Sequence, residues 1–177
     1  MSAQVWPVCS MASCLNEDAH HPVANLFKKD GSYLQSETDP QLLINVPFAE
    51  PVSIAGLRLE ASAGDEEAPA LVKLFINRPD LGFDEAESEE PLQALGLKPD
   101  DTKAGAPAQE LRRAKFRAVH SLQLFIEDNH GADFTRLTYL DILGEKKDAG
   151  SGDGFGLPIP AGFKLDTSME KSPPGFS

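Results

Sequence analysis

The sequence predicts an all-β protein, built from antiparallel strands as a sandwich or a barrel. Apolar residues recur at every second position in several short segments, which is the pattern of half-buried strands. Gly, Pro, Asp and Asn separate these segments, as they do in turns. No amphipathic pattern is long enough for a helix of three turns, and strands without alternating helices favour a sandwich or barrel over a βαβ fold.

The predicted strands follow one another along the chain at irregular spacing. They cover residues 41–48, 52–61, 71–77, 121–127 and 134–144. The second of them alternates regularly except at Ala55 and Gly56, where the phase of the alternation shifts. A glycine at such a shift is typical of a β-bulge, so we expect a bulge there.

The chain of 177 residues has the length of a single domain. We predict an N-terminal tail at 1–13, a β domain at 14–147 and a C-terminal tail at 148–177. The C-terminal stretch is rich in Gly, Pro and Ser, which bury too little surface to offset the entropy of ordering, so we expect flexible tails. This stretch also contains four scattered apolar residues, Phe155, Leu157, Ile159 and Phe163. Two interpretations remain open: these residues dock on the domain or on a partner, or the tail binds nothing.

The chain is strongly acidic, with a formal charge of −12 and a pI of about 4.7. Such a surface repels phosphate backbones and anionic lipids, which predicts no nucleic-acid binding and no binding to a membrane surface. No apolar stretch approaches the roughly 20 residues that cross a bilayer, and the N-terminus lacks the regions of a secretion signal. We expect a soluble monomer whose partner is a protein with basic patches.

The stretch FINRPDLGFDEAESEEPLQAL, residues 75–95, changes from the end of an apolar strand into a run of carboxylates. Two carboxylates act as acid and base only where burial or a fixed partner separates their pKa values, and nothing in the run supplies this. The run also lacks the alternating ligands of a calcium loop. We predict a solvated loop or a protein-binding surface, with a helical turn capped by Asp84 and stopped by Pro91.

The sequence predicts no catalytic residue, no cofactor and no metal site, and therefore no enzyme. The histidines do not have zinc-ligand spacing, and neither a nucleophile elbow nor a phosphate-binding glycine loop is present. Cys9 and Cys14 have four residues between them, unlike the CxxC of thioredoxin chemistry, so we expect two reduced thiols.

One basic stretch stands out in this acidic chain, with its cations placed around Phe116. These cations are Arg112, Arg113, Lys115 and Arg117. Alternation predicts a strand that puts Arg113, Lys115 and Arg117 on one face and Ala114, Phe116 and Ala118 on the other. Three interpretations remain, in this order: pairing with the protein's own carboxylates, docking of an acidic partner, and nucleic-acid binding.

Four pieces of the sequence, taken in order, resemble the PITH domain, the proteasome-interacting module of the thioredoxin-like proteins. The pieces are CLNED at 14–18, YLQSETDPQLLINVPFAEPV at 33–52, VKLFINRPDLGFDEAESEEPLQAL at 72–95 and KFRAVHSLQLFIEDNHGADFTRLTYLDILG at 115–144. Each piece alone is weak, and the specificity of the resemblance lies in their order.

The resemblance implies a jelly-roll-like β-sandwich, similar to the galactose-binding-like fold. It also implies a non-catalytic adaptor that docks on the regulatory particle of the 26S proteasome, in the cytoplasm and the nucleus. Some members of the family carry a thioredoxin domain before the PITH module and are disulfide reductases. This chain has no CxxC, so reductase activity is not carried over.

The partner-binding residues that the resemblance implies are the exposed positions within the matched pieces. They are Asn77, Arg78, Pro79, Phe83, Asp84, Glu85, Glu87, Asn129, His130 and Gly131. Several of them also have a structural interpretation: Asn77 to Pro79 is a turn signal, and Gly131 fits a position with positive φ.

Two other functions remain open at this point. One is a galactose-binding-like jelly roll that holds a carbohydrate or another small ligand, which calls for aromatic residues grouped with Asn, Asp and Arg in loops. The single Trp of the chain, Trp6, lies in the predicted N-terminal tail, which weakens this alternative. The other is part of a thioredoxin-like redox protein whose catalytic domain is absent from this chain.

Overall fold

The computed structural model describes residues 3–4, 11–61 and 64–146 of the chain. These residues form strands, one short α-helix and a few 3₁₀ turns, which confirms the all-β prediction. None of the described helices is long and apolar enough to span a membrane. The strands are β1 (Ala3–Gln4), β2 (Ser13–Leu15), β3 (Leu34–Gln35), β4 (Leu42–Glu60), β5 (Pro69–Ile76), β6 (Gln93–Gly96), β7 (Gln109–Glu110), β8 (Val119–Asn129), β9 (Arg136–Leu137) and β10 (Tyr139–Lys146), and the helix is α1 (Phe83–Ser88).

The long strand β4 joins the two layers of the sandwich. Its first half, as far as Pro47, pairs with β2 and β8, and its second half, from Val52, pairs with β10 and β7. The register of the β4–β8 ladder shifts between these two residues. The prediction of separate strands at 41–48 and 52–61 is therefore wrong. Pro47 has no N–H to donate, and the interrupted pattern marks a bend within one strand rather than its end.

The first layer has the strand order β2-β4-β8-β5-β6, and the second has the order β1-β10-β4-β7. Strands β3 and β9 form a separate two-stranded sheet. All the ladders are antiparallel. The main core lies between the layers, where Ile44 and Leu57 of β4, Leu124 of β8 and Ile142 of β10 are at most 2% exposed.

The bulge predicted at Ala55 and Gly56 is confirmed. Leu143 of β10 pairs with Gly56, but the next residue, Gly144, pairs with Ile54, so Ala55 is the extra residue on β4. The two backbones are so close here that a Cβ on Gly144 would lie 2.0 Å from the carbonyl oxygen of Ser53. The extra residue explains the phase shift in the sequence, because it allows Ile54 and Leu57, which are three positions apart, to face the same core.

A second, smaller cluster of apolar side chains lies on the outer face of the first layer. Leu43 of β4, Phe75 of β5 and Phe125 of β8 provide its base, and Leu81 and Ala86 cover it. This outer cluster explains why β8 is buried on both faces, although the alternation at 121–127 predicted a half-buried strand. It also fixes the position of α1, which would be too short to be stable by itself.

The basic stretch is a turn and not the predicted strand. Arg113–Lys115 forms a 3₁₀ turn, and both Ala114 and Ala118 are exposed. Phe116 is fully buried in the main core. The predicted C-terminal tail, 148–177, lies outside the described residues, as do Trp6 and Cys9. In the predicted N-terminal tail, β1 pairs with β10.

Candidate functional site

The segment that begins at Asn77 leaves the end of β5 and lies over the outer cluster. Asn77 has a φ of 58°, which turns the chain sharply away from the strand. Its Oδ1 accepts a hydrogen bond of 2.7 Å from the backbone N–H of His120, and its Nδ2 donates to the carbonyl of Ala118 at 3.3 Å. Although Asn77 is exposed, its side chain joins two segments of backbone, so we assign it a structural role.

Arg78 links the start of the segment, at the end of β5, to Glu89 near the end of the acidic run. Its backbone N–H donates to Oε1 of the buried Gln123 at 3.0 Å. Its guanidinium forms two hydrogen bonds with the carboxylate of Glu89, at 2.6 Å and 3.3 Å. The hydrogen bond from Arg78 lowers the pKa of Glu89. The segment from Arg78 to Glu89 is therefore closed by this pair at its two ends.

The cap of helix α1 lies two residues earlier than predicted. The cap is Gly82 and not Asp84: the backbone N–H of Gly82 donates to Oε1 of Glu85 at 2.9 Å, and the N–H of Ala86 donates to the carbonyl of Gly82 at 3.0 Å. Glu85 thus caps the helix through its own side chain. The helix ends at Ser88, before Pro91, as the sequence predicted.

One side of α1 is buried and the other faces solvent. Ala86 is fully buried, and the ring of Phe83 meets the ring of Phe125 edge to face with 5.9 Å between centroids. The exposed side, which we call the α1 surface, consists of Asp84, Glu85, Glu87, Glu89 and Glu90. The acidic run is thus a fixed, negatively charged face rather than a solvated loop.

The carboxylates of the α1 surface differ in what they contact. Glu85 and Glu89 make the contacts given above, and Oε2 of Glu87 accepts a hydrogen bond from Gln41 at 3.1 Å. Among the residues that the structure describes, the carboxylates of Asp84 and Glu90 have no hydrogen-bond or ion-pair partner. These two side chains are therefore available to an external cation. Pro79 is exposed at the far end of the segment.

The other predicted residues, Asn129 to Gly131, lie away from Asn77. Asn77 is bonded to Ser121 near the start of β8, and Asn129 ends that strand eight residues later, which corresponds to roughly 25 Å. Asn129 is 6% exposed and its Nδ2 donates to the carbonyls of Ala132 and Phe134. Gly131 has a φ of 122°, which confirms its expected conformation.

His130 belongs to the same structural turn as Asn129. Its backbone N–H donates to the carbonyl of Glu66 at 3.1 Å, and its Nε2 is buried without a hydrogen-bond partner among the described residues. The predicted set therefore divides into two structural roles. The segment of α1 presents charges to solvent, and the turn at 129–131 holds the end of β8.

Two features were not predicted from the sequence. One is an apolar residue beside the outer cluster, and the other is a group of polar and aromatic side chains around Tyr33, which we call the brace. Leu15 is 46% exposed and pairs with Leu43, which places it on the same face as the outer cluster. In the brace, the ring of His21 stacks on Tyr33 at 4.3 Å and the guanidinium of Arg136 lies 4.9 Å from the Tyr33 ring. No local pattern signals either feature, because both depend on pairing between distant segments.

The brace has the aromatic and polar composition of a sugar-binding site, but its polar atoms contact one another. Nδ1 of His21 lies 2.6 Å from Oδ2 of Asp18, and Nε of Arg136 donates to Gln35 at 2.7 Å. The hydrogen bond with His21 lowers the pKa of Asp18. In the ranges 11–61 and 64–146, no group of three or more His, Cys, Asp or Glu side chains is placed to hold a metal ion.

Cys14 is a free cysteine that packs against the main core. Burial raises the pKa of its thiol, and the nearby carboxylate of Glu17 adds to this effect. Because the thiolate is the reactive form, Cys14 is a poor nucleophile in the folded protein. This supports the expectation of a reduced thiol at this position.

Comparison with known proteins gives one family and one fold. The sequence model described as PITH domain matches residues 9–153. The chain is 35% identical to Thioredoxin-like protein 1 of Schizosaccharomyces pombe over 139 residues, which cover 75% of this chain and 47% of that protein. It is 34% identical to PITH domain-containing protein CG6153 of Drosophila melanogaster over 142 residues, which cover 77% of this chain and 65% of that protein. The chain thus spans about half to two thirds of the length of these curated relatives.

Among solved structures, the family 32 carbohydrate-binding module of NanJ from C. perfringens, in complex with galactose, has the same fold. The TM-score is 0.57 at 11% identity, and the match covers 81% of this chain and 99% of that one. This likeness confirms the predicted jelly-roll-like, galactose-binding-like sandwich. At this identity it concerns the fold alone.

Proposed function

The chain belongs to the PITH domain family, and from that premise we propose that it is a non-catalytic adaptor that docks on the proteasome regulatory particle through its α1 surface. The PITH domain and the galactose-binding-like sandwich are binding folds rather than catalytic ones. The proteasome as partner follows from the role that the PITH resemblance implies. With it come a location in the cytoplasm and nucleus and a monomeric state, which are parts of the same proposal.

The observation that carries the proposal is the fixed position of the acidic helix. A flexible acidic loop loses conformational entropy when it binds, whereas α1 is already held by Ala86 and Phe83 on the outer cluster and by the Arg78–Glu89 pair. Binding sites on rigid elements position their charges more accurately than sites on loops do. The α1 surface therefore presents Asp84 and Glu90 to a partner at little conformational cost.

The composition of this region also suits a protein interface. Charged residues at the rim accelerate association with an oppositely charged surface and set the register of the complex. Apolar area near them supplies affinity, and here the half-exposed Leu15 and the partly exposed Phe83 border the outer cluster. We expect the partner to offer lysine or arginine side chains to α1.

Reversing the two unpartnered charges tests this proposal. In pull-downs from cell lysate, probed for regulatory-particle subunits, we expect Asp84→Lys/Glu90→Lys to recover about one tenth or less of the wild-type amount. Attraction becomes repulsion at both positions, and like-charge contacts across an interface are costly. Both side chains are exposed, so the melting temperature should change by only a few degrees.

The matched control is Glu60→Lys/Glu145→Lys. It makes the same change of net charge on the β4–β10 ladder of the second layer, away from α1. We expect it to recover regulatory-particle subunits at close to the wild-type level. Equal losses in both variants would show a general charge effect, and no loss in either would show that α1 faces only water; either outcome contradicts docking through the α1 surface.

A further inference from the structure

The turn at residues 112–117, which we call the basic turn, carries three cations that form no ion pair with any residue that the structure describes. They are Arg112, Lys115 and Arg117, and all three are exposed. Five cations elsewhere form ion pairs, Arg58 with Asp141, Lys73 with Glu127, Arg78 with Glu89, Lys103 with Asp65 and Arg136 with Glu67. In the described part of the chain, lysines such as Lys28 and Lys98 are also exposed without an ion pair, but they do not lie in a group of three within one turn. The sequence ranked internal pairing first for the basic stretch, and for these three cations that ranking is wrong. The 3₁₀ turn points them into solvent instead of along a strand.

The basic turn is also held rigidly. Phe116 anchors it in the main core, and the carbonyl of Phe116 accepts a hydrogen bond from the N–H of Ile54 at 2.9 Å. At its other end, the N–H of Arg112 donates to Oε1 of Gln93 at 2.8 Å. The backbone that carries the cations is therefore ordered before any ligand arrives, which lowers the entropic cost of binding.

A cavity of about 570 Å³ adjoins the basic turn and lies over Gly56. Its walls include Ala55, Gln109, Leu143 and Arg113. A Cβ on Gly56 would lie 2.9 Å from the carbonyl oxygen of Gln109, so β7 packs directly against this glycine. The apolar side chains in the cavity wall are those of Ala55, Leu111 and Leu143. Glu110 also lines the cavity and would repel the acidic residues of a ligand. We therefore expect those residues to lie over the basic turn rather than over β7.

We propose that the basic turn and this cavity together form a second docking surface, which binds an acidic, extended segment of another protein. Carboxylates of that segment pair with Arg112, Lys115 and Arg117, and an apolar side chain enters the cavity. The surface adjoins the α1 surface, since Gln93, which accepts the hydrogen bond of Arg112, follows Glu90 by three residues, but it carries the opposite charge. Its occupancy does not depend on docking to the proteasome.

Charge and burial favour this occupant over two others. Nucleic acid is disfavoured because the protein carries −12 overall, and because Phe116 is fully buried and cannot stack on a base. The protein's own C-terminal tail, 148–177, is disfavoured because its acidic residues are spread over 30 residues and are interspersed with lysines. It holds two lysines against four acidic residues, Asp148, Asp153, Asp166 and Glu170.

The test is a titration of the full chain into a fluorescently labelled, glutamate-rich peptide of about ten residues that contains leucine. We expect saturable binding that weakens as salt rises. A peptide with every glutamate replaced by glutamine should bind at least about tenfold more weakly. No saturable binding of the glutamate peptide at low salt, or equal binding of both peptides, would overturn the proposal.

Variants of the chain locate the binding site. Lys115→Glu/Arg117→Glu should weaken binding of the glutamate peptide about tenfold or more. Lys28→Glu/Lys98→Glu makes the same change of charge at two exposed positions outside the turn and should leave the affinity within about twofold. Equal weakening by both variants would overturn the assignment to the basic turn.

Two further measurements separate the other occupants. A single-stranded oligouridine should not compete with the labelled peptide; if it binds more tightly than the peptide does, the surface is a nucleic-acid site and the proposal fails. Changing the four acidic residues of 148–177 to their amides should leave peptide affinity unchanged. A tenfold gain in affinity would show that the chain's own C-terminal stretch occupies the turn, which would also overturn the proposal.

Discussion

Replacing Gly144 with alanine should destabilise the protein by about 3 kcal/mol or more. The added Cβ would lie 2.0 Å from the carbonyl oxygen of Ser53 and 3.0 Å from Cα of Ile54, both of which are backbone atoms that cannot rotate away. The β10–β4 ladder must therefore open at its bulge, where it supports Ile54 and Ile142 in the main core. Urea denaturation followed by circular dichroism measures the loss.

Gly96→Ala is the matched control. Gly96 lies in β6, and no atom lies within 4 Å of the position that a Cβ would take there. Its stability should stay within about 0.5 kcal/mol of the wild type. If Gly144→Ala unfolds at the same urea concentration as Gly96→Ala, the close approach of β10 and β4 at the bulge is wrong.

Replacing Phe125 with alanine should cost about 3–5 kcal/mol and release α1 from the sheet. Phe125 is fully buried at the centre of the outer cluster, and its ring meets that of Phe83. Without it, the helix loses the base on which Ala86 packs. Hydrogen exchange of the Ala86 and Glu89 amides, which close the helix, should become faster than in the wild type, beyond what the loss of global stability explains.

Phe134→Ala is the control for this change. Phe134 is 36% exposed, so removal of its ring should cost well under half as much as removal of Phe125. The exchange rates of the α1 amides should not change. If Phe125→Ala leaves the α1 amides as protected as Phe134→Ala does, the helix does not depend on the outer cluster, and its role as a preformed surface fails.

The local alternation of the sequence was sufficient to predict most of the sheet. It located the segments that became β5, β8 and β10, and the glycine at the phase shift predicted the bulge. It was insufficient at β4, because a bend within one strand and a gap between two strands give the same pattern. It was also insufficient at 113–115, where alternation over so few residues describes a 3₁₀ turn and a strand equally well.

The site was harder to predict than the fold. The resemblance selected residues by similarity, but the structure separates Asn129, a buried residue that shapes a turn, from Asp84, an exposed one that is free to bind. Whether a polar residue supports the fold or binds a partner depends on which carbonyls and amides lie around it. Leu15 and Phe125 show the same limit, because their exposure depends on the pairing of β2 and on the cover that α1 provides.

The most direct test of the proposed adaptor is a titration of purified protein against purified regulatory particle, with binding followed by the anisotropy of a label. Docking through the α1 surface predicts saturable binding that weakens with salt. It also predicts that Asp84→Lys/Glu90→Lys is at least about tenfold weaker and that Glu60→Lys/Glu145→Lys matches the wild type. The absence of saturable binding by the wild type at low salt would contradict the proposed function, and equal affinity of the two variants would contradict the role of α1.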